Sequence, residues 1–182
     1  MPYKLEPAKI EDKDLISELI ETSVWGLSKN DYTVEQIEAA LKSAWGVDTQ
    51  LIHDSTYFVV RLGRALVGCG GWSFRKTLFG GDHRKDRDTS RLDPHSDAAK
   101  IRAFFIHPEH SRKGLGSMLL AHCEQAAWDA GFRRMELGAT APGKRLYEIH
   151  DYQAGEPYEF ITSQSTSLTI IPMYKGLTIR PI

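Results

Sequence analysis

Residues 102–127 read RAFFIHPEHSRKGLGSMLLAHCEQAA, and this stretch decides the expected fold. Residues 103–106 are continuously apolar, which is typical of a strand buried on both faces. The strand pattern ends at Pro108, and from Gly114 onward apolar residues recur at helical spacing. The stretch therefore predicts a buried strand, a glycine-containing turn and an amphipathic helix, in that order.

The turn between this strand and this helix has the features of a phosphate-binding loop. The first N–H groups of a helix lack intrahelical partners and carry positive potential. Gly114 and Gly116 leave the backbone open to a ligand, and Arg112 and Lys113 add cationic donors. The Walker pattern is absent, and Leu119 stands where the Rossmann fingerprint needs its third glycine. We therefore expect the main-chain N–H groups of this turn to hold a pyrophosphate.

Composition and charge limit the classes of function. The chain has 182 residues, 41% of them hydrophobic and 26% charged, which predicts one globular domain spanning residues 1–182. A formal net charge of −1 offers no long-range attraction to nucleic acid or to an acidic membrane, and we expect neither as a partner. Without a signal-peptide pattern or a run of ~20 apolar residues, the expected location is cytoplasmic. Two cysteines, Cys69 and Cys123, are too few for a disulfide scaffold or a four-thiolate zinc site, and we expect no metal.

The rest of the chain alternates strand and helix patterns. Thr33 and Gln36 form a capping box before the second helix, and Gly26, Gly46 and Gly131 stand where helices are expected to end. Residues 75–98 hold glycines and charges of both signs, so we expect an exposed, mobile loop within the sheet. The order predicts an α/β fold, a single mixed, mostly antiparallel sheet flanked by helices. Strands are expected at 3–6, 56–61, 65–72, 99–107, 133–139, 152–161 and 168–174, and helices at 12–25, from 33 to 45, at 114–130 and at 142–150.

The turn and its context resemble the GNAT superfamily of acyl-CoA-dependent N-acyltransferases. The matching pattern is an apolar strand, x-Pro, five residues and Gly-x-Gly, and the interval from Pro108 to Gly114 fits it. Family members usually carry Gln or Arg three residues before the first glycine. Ser111 stands at that position here and retains a hydroxyl donor. The resemblance implies a GNAT-like fold and acetyl-CoA as co-substrate.

The same resemblance implies a role for each matching position. The backbone of Phe104, Phe105 and Ile106 would pair with the pantetheine arm of the cofactor. Thr140 stands where the family often has an Asn and is included among the cofactor-binding residues. The pyrophosphate would be held by Ser111, Arg112, Lys113, Gly114, Leu115, Gly116 and Ser117.

Acyl transfer to an amine needs a neutral amine, a donor for the oxyanion and a proton for the leaving thiolate. Leu146-Tyr147-Glu148 matches the family segment whose tyrosine supplies that proton, so Tyr147 is the expected general acid. A phenol with a pKa of ~10 stays protonated at neutral pH. The general base is left open: strand alternation turns Glu136 away, His107 is expected as a solvated strand-end residue, and a water chain is an alternative.

The acceptor pocket is expected between the first two helices, the 56–72 hairpin and the last two strands. The leading function is an N-acetyltransferase acting on the primary amine of a small molecule or peptide. The alternative is an acyl-CoA-binding regulatory or interaction module with weak catalysis, and a homodimer is left open. Candidates for the pocket wall are Trp25, Tyr32, Trp45 and Trp72, and candidates for attracting a cationic amine are Glu21, Asp31 and Glu159.

Overall fold

The computed structural model describes residues 2–178, in which eight strands and five helices follow one another. Short 3-10 turns at Ile10–Asp12 and Pro108–His110 precede the first and fourth helices. The strands are β1 (Tyr3–Pro7), β2 (Tyr57–Leu62), β3 (Ala65–Ser73), β4 (Ala99–Ile106), β5 (Arg134–Ala139), β6 (Gln153–Ala154), β7 (Tyr158–Ile161) and β8 (Ser167–Gly176). The helices are α1 (Lys13–Leu27), α2 (Val34–Leu41), α3 (Thr49–His53), α4 (Leu115–Asp129) and α5 (Lys144–Glu148).

The strands form one sheet in the order β1-β2-β3-β4-β5-β8-β6, and β7 pairs with β8 beside this path. Every strand pair is antiparallel except the parallel pair β4–β5, which confirms the expected mixed, mostly antiparallel sheet. Ala99 pairs with Met135 and Lys100 with Glu136, and within residues 2–178 no further pair joins β4 to β5. The two strands therefore diverge and leave a cleft in the middle of the sheet.

A bulge in β4 lies at the start of this cleft. The register between β3 and β4 shifts between Cys69 and Gly71, and Ala103 has a positive φ of 53°. The hydroxyl of buried Tyr57 donates to the Ala103 carbonyl at 2.9 Å and stabilises this backbone conformation. Residues 103–106 are only partly buried, so the expectation of burial on both faces was wrong. The physical reason is that β5 has already separated from β4 at this point.

Two helix ends follow local sequence signals, whereas the expectations for Gly26 and Gly46 were wrong, since α1 ends at Leu27 and α2 at Leu41. The capping box of α2 is confirmed, because Gln36 N donates to Thr33 Oγ1 at 3.2 Å and Thr33 N to Gln36 Oε1 at 2.9 Å. Gly131 follows α4 with a φ of 98°, as expected of a C-terminal stop. Gly26 lies inside α1, although it was expected at its end. A Cβ there would lie 2.2 Å from Cγ of Pro108, so this glycine makes room for the turn after β4.

Three further expectations were wrong in detail. Helix α3 was not expected, α2 ends at Leu41 before reaching Trp45, and the strand expected over 152–161 is two short strands, β6 and β7. Residues 75–98 do lack regular helices and strands, yet Thr77, Gly80 and Gly81 within them are buried. The loop is therefore not exposed throughout, and its expected mobility stays a prediction.

The core has a layer on each face of the sheet. One layer holds side chains of α4 and the strands beneath it, among them Leu119, Phe132 and Met135. The other packs α1, α2 and α3 on the opposite face through residues such as Ile20 and Leu51. Within residues 2–178 no helix combines the length and apolarity that crossing a bilayer requires.

Candidate active site in the cleft between β4 and β5

A cavity of about 800 Å³ occupies the cleft. Its walls are residues 101–106 of β4, residues 137–139 of β5 and parts of α1, α4 and α5. One end reaches the turn before α4, and the other reaches residues 44–46 after α2 and residues 78–80 of the long loop. Such a volume lies within the range of small-molecule sites, about 300–1,000 Å³.

The first end of the cavity has the backbone geometry of an anion site. The first hydrogen bond of α4 runs from Met118 N to Gly114 O at 3.0 Å, so the N–H groups of Leu115, Gly116 and Ser117 have no intrahelical acceptor. Gly114 has a φ of 83°, and a Cβ placed there would meet nothing within 4 Å. The space above these N–H groups is therefore open to a ligand, and the helix dipole favours a negatively charged one.

The side chains of this turn have mixed roles. Arg112 is exposed and lines the cavity, whereas Lys113 is exposed but lies outside the cavity wall. Ser111 lines the cavity, and its hydroxyl donates to Pro108 O at 2.8 Å. Ser117 Oγ lies 2.8 Å from Nε2 of His150, a residue that sequence reasoning did not single out. No local pattern could have found His150, because the end of α5 brings it to α4.

The backbone of β4 faces the cleft at alternate residues. His107 N donates to Val67 O in β3, and Ile106 N donates in the other direction to Ser23 Oγ of α1 at 3.2 Å. Because main-chain groups of successive residues point to opposite sides of a strand, Phe104 shares the direction of Ile106. In the register of β3 and β4, Phe105 pairs with Cys69 and Ile106 with Gly68, whereas Phe104 lies at the bulge and has no register partner there. Phe104, Phe105 and Ile106 all line the cavity. Because Ile106 N is bonded to Ser23 and Phe105 faces β3, we infer that the main-chain N–H of Phe104 is the one left for a ligand.

Tyr147 of α5 forms part of the cavity wall and is only 7% exposed. Its ring packs against Phe104, with ring centres 6.4 Å apart, and against Tyr152 at 5.7 Å. Burial raises the pKa of the Tyr147 phenol well above its usual value. The phenol is therefore held in its protonated form, and Thr140 lines the same cavity at the end of β5.

No aspartate or glutamate lines the cavity in the part of the chain that the structure describes. Glu136 faces elsewhere and forms an ion pair with Lys100, in agreement with strand alternation. His110 does line the cavity, and its Nδ1 lies 3.0 Å from the Tyr3 hydroxyl. Sequence reasoning had passed over His110, whose imidazole the structure places in this wall.

His107, Glu109 and His110 also place ligand-type atoms within 4.8 Å of one another. Nδ1 of His107 accepts a hydrogen bond from Glu109 N at 3.3 Å. In a neutral imidazole the proton then resides on Nε2, which leaves that nitrogen without a lone pair for a metal. The arrangement therefore favours a structural role for this turn.

The other end of the cavity is apolar. Of the expected wall residues, Trp45 lines the cavity, while Tyr32 packs against Trp45 with ring centres 5.9 Å apart. Trp72 is buried in the core on the α4 side, and Trp25 packs on the α1 side. The candidates for attracting a cationic amine lie outside the cavity wall. The carboxylate of one of them, Glu159, accepts hydrogen bonds from the hydroxyls of Ser167 and Thr169 in the β7–β8 hairpin. These candidates are Glu21, Asp31 and Glu159.

A buried ion network attaches the long loop to the sheet at this end. Arg102 of β4 donates to Asp48 Oδ2 and to Gly80 O, both at 2.8 Å, and to Thr77 O at 3.1 Å. Arg87 of the loop contacts the same Asp48 oxygen at 2.7 Å. Sequence reasoning missed this network because its partners come from three distant segments.

Comparison with known proteins agrees with this architecture. The family model described as "Acetyltransferase (GNAT) family" matches residues 19–154. The chain therefore belongs to the acetyltransferase (GNAT) family, a family of acyltransferases. A search of curated proteins found no match.

Solved structures show the same fold at low sequence identity. A GCN5-related N-acetyltransferase from Rhodopseudomonas palustris has a TM-score of 0.70 and 18% identity, with 97% of each chain covered. The YncA structure from Salmonella typhimurium, solved with acetyl-CoA, has a TM-score of 0.63 and 18% identity, over 100% of this chain and 98% of that one. PaiA N-acetyltransferase from Thermoplasma acidophilum, solved with coenzyme A, has a TM-score of 0.66 and 13% identity, over 97% and 100%.

Proposed function

We propose that the protein is an N-acetyltransferase that moves the acetyl group of acetyl-CoA to a primary amine. The observation that carries the proposal is the single cavity that joins an anion-binding helix end, an open strand edge and an apolar pocket, with buried Tyr147 in its wall. The acetyl-CoA and coenzyme A bound in the YncA and PaiA structures support the choice of co-substrate.

Ten of the eleven expected cofactor-binding residues line this one cavity, which supports their assignment. The N–H groups at the start of α4 would hold the pyrophosphate together with Arg112, and Ser111 and Ser117 would shape the turn around it. The pantetheine arm would run along the edge of β4 at Phe104, Phe105 and Ile106. Lys113 is the exception, and from its exposed position it would add only positive potential.

Acetyl-CoA supplies a thioester carbonyl, and the transfer forms a C–N bond while the C–S bond breaks. Tyr147 would donate its phenolic proton to the leaving thiolate, and its raised pKa keeps the phenol in its protonated form before the transfer. The Phe104 N–H would donate to the carbonyl oxygen as negative charge develops there. The amine proton would leave through water, because no carboxylate lines the wall within residues 2–178.

Calorimetry and steady-state kinetics test this proposal together. Acetyl-CoA and CoA are expected to bind, and Tyr147→Phe is expected to lower kcat by about 10²-fold or more while leaving the Kd for CoA unchanged. Tyr174→Phe is the matched control, because Tyr174 is 48% exposed and lies outside the cavity.

Each other outcome has a clear meaning. If neither acetyl-CoA nor CoA releases heat on titration, the proposal fails. If both bind but no amine in a broad panel is acetylated, a CoA-responsive regulatory module explains the protein better. Equal kcat for Tyr147→Phe and the unmodified protein would remove Tyr147 from the chemistry.

A further inference from the structure

We infer that the acceptor is a small primary amine carried on an uncharged apolar or aromatic group, and not a diamine or polyamine. The inference rests on the proposed function, because it concerns the second substrate of the same cavity. It is drawn from the side chains that line the apolar end of the cavity, which reaches residues 44–46 and 78–80.

The side chains that form this end are almost entirely apolar. Ser28 and Arg102 contribute the polar side chains, and the Arg102 guanidinium is engaged by Asp48 and by the Thr77 and Gly80 carbonyls. The segments 27–28, 44–46 and 78–80 and position 170 hold no charged residue. The apolar members are Leu27, Ala44, Trp45, Leu78, Phe79 and Ile170.

Three of these side chains converge over Gly138 of β5. A Cβ placed on Gly138 would lie 2.9 Å from Ile170 Cγ2, 3.7 Å from Leu78 Cδ2 and 3.8 Å from Phe79 Cδ1. The Phe79 ring is itself held by Phe160, with ring centres 4.8 Å apart and planes nearly perpendicular. The floor of the pocket is therefore a packed hydrocarbon surface.

The two chain segments that carry this wall are fixed to one another. A Cβ on Gly81 would lie 2.8 Å from the carbonyl carbon of Gly46, and Asp82 N donates to Val47 O at 2.8 Å. The nearby Asp48 carboxylate is already engaged by Arg102 at 2.8 Å and by a second arginine. This carboxylate is therefore not available as a counter-charge for a cationic acceptor.

The apolar wall discriminates between amines by their second charge. The amine that reacts must be neutral, and an apolar surrounding favours the neutral form because it desolvates the ammonium ion. A second ammonium group in the same molecule would lose its hydration without gaining a counter-ion, which is strongly unfavourable. An apolar or aromatic substituent instead gains free energy by leaving water for this surface.

The test compares hexylamine, 2-phenylethylamine and 1,6-diaminohexane as acceptors, with acetyl-CoA binding followed separately by calorimetry. Hexylamine and 1,6-diaminohexane have the same chain length and differ in the second charge. We expect kcat/KM to be at least about tenfold higher for each monoamine, which corresponds to ~1.4 kcal/mol. The diamine has two reactive ends, so chance alone would favour it.

Equal or faster turnover of the diamine would overturn the inference and leave the proposed function intact. Binding of acetyl-CoA without acetylation of either monoamine would also overturn it. Failure to bind acetyl-CoA at all would reject the proposed function itself, which separates the two results.

A substitution in the wall gives an independent test. Leu78→Glu places a carboxylate on a half-buried part of the wall and is expected to shift the ratio of kcat/KM values at least about tenfold toward the diamine. Val34→Glu is the matched control, because Val34 is 61% exposed on α2 and lies outside the cavity. An unchanged ratio in a folded Leu78→Glu protein contradicts the inference.

Discussion

At the scale of single residues, Tyr147 shows how burial keeps a phenol in its protonated form. Burial among Phe104, Tyr152 and Cys123 penalises the phenolate, and the charge that Cys123 would carry adds to the effect. Because the pKa is raised, the protonated form persists to higher pH than in a solvated tyrosine. The proposed acid is therefore present across the range in which amines lose their proton.

The upward direction of the Tyr147 pKa shift gives a prediction for the pH dependence of kcat. We expect kcat for acetyl transfer to rise with pH as the bound amine deprotonates, and then to stay level through about pH 10, the ordinary pKa of tyrosine. The measurement is kcat at saturating acetyl-CoA and amine over pH 6–10.5, with protein stability checked at each pH. A falling limb below pH 10 that disappears in Tyr147→Phe would contradict it.

Gly114 has a left-handed backbone conformation at the turn before α4, the proposed pyrophosphate site. Its φ of 83° is costly for any residue with a Cβ, by roughly 1–2 kcal/mol, although the space around it is open. Gly114→Ala is expected to lower the free energy of unfolding by about that amount and to weaken CoA binding. Denaturant titration and calorimetry measure the two effects.

Gly176→Ala provides the control for Gly114. A Cβ added at Gly176 would also meet no atom within 4 Å, but Gly176 does not have a left-handed backbone conformation. We expect this variant to change neither stability nor CoA affinity. If the two variants behave alike, the backbone conformation of Gly114 has no role in binding.

At the scale of elements, α1 positions the turn that begins α4. The missing side chain of Gly26 lets Pro108 pack directly on α1, and Ser23 of the same helix accepts from Ile106 N. Both contacts locate the end of β4 relative to the helix. The geometry of the anion site thus depends on a helix that contributes little to its surface.

Gly26→Ala tests this coupling. Alanine normally stabilises a helix interior by up to about 1 kcal/mol relative to glycine, so a loss of stability would reveal the clash with Pro108. We expect a loss of about 1–3 kcal/mol and a weaker Kd for CoA. The double variant Gly26→Ala/Pro108→Ala removes Cγ of the proline and should recover part of both losses. Stabilisation by Gly26→Ala alone would contradict the expected contact.

Local signals predicted the elements well where a few neighbouring residues decide the outcome. The capping box at Thr33 and the glycine at position 131 are examples, since both act within one helical turn. Helix α3 has five residues, too few for a periodic pattern. Strands β6 and β7 are separated by Gly155-Glu156-Pro157, a turn signal that sequence reasoning overlooked. Gly26 was misplaced because its reason lies in a contact 82 positions away.

At the scale of the whole molecule, one buried carboxylate connects three distant segments. Asp48 binds Arg102 of β4 and Arg87 of the long loop, and its other oxygen accepts from Gln50 N at the start of α3. Burial lowers the pKa of Arg102, which shows how strongly this ion pair is desolvated. The network holds Thr77 and Gly80 through Arg102, and so fixes the part of the cavity wall that we propose for the acceptor.

Asp48→Asn is expected to lower the free energy of unfolding by about 3–5 kcal/mol, because it leaves two buried guanidinium groups without a counter-charge. Urea denaturation measures this loss. Asp86→Asn is the control: Asp86 pairs with Arg84 at 3.6 Å, but its side chain is 78% exposed, and such a surface pair contributes at most about 1 kcal/mol. Equal effects of the two substitutions would show that the buried network is not a major source of stability.

The parts of the candidate site that consist of residues close together in sequence could be predicted from the sequence. The turn at 111–117 and the segment around Tyr147 stand in characteristic local patterns, and the structure brings them to one cavity. His110, His150 and the Arg102–Asp48 pair were missed, because only the folded sheet shows which residues they meet. The partial burial of residues 103–106 was missed for the same reason, since divergence of β5 leaves no trace in β4.

Because β4 and β5 diverge, the main-chain groups of β4 beyond Lys100 have no partner strand on the β5 side in the described part of the chain. A ligand that occupies this gap would make the stability of the fold depend on the concentration of that ligand. A ligand that binds only the folded state stabilises it by RT ln(1 + [L]/Kd), about 2.7 kcal/mol when its concentration is a hundred times Kd. A molecule lying along Phe104 would act like the missing strand and protect amides of β4 from hydrogen exchange. The folded population of this protein would then follow the supply of acyl-CoA in its surroundings, with no regulatory domain needed.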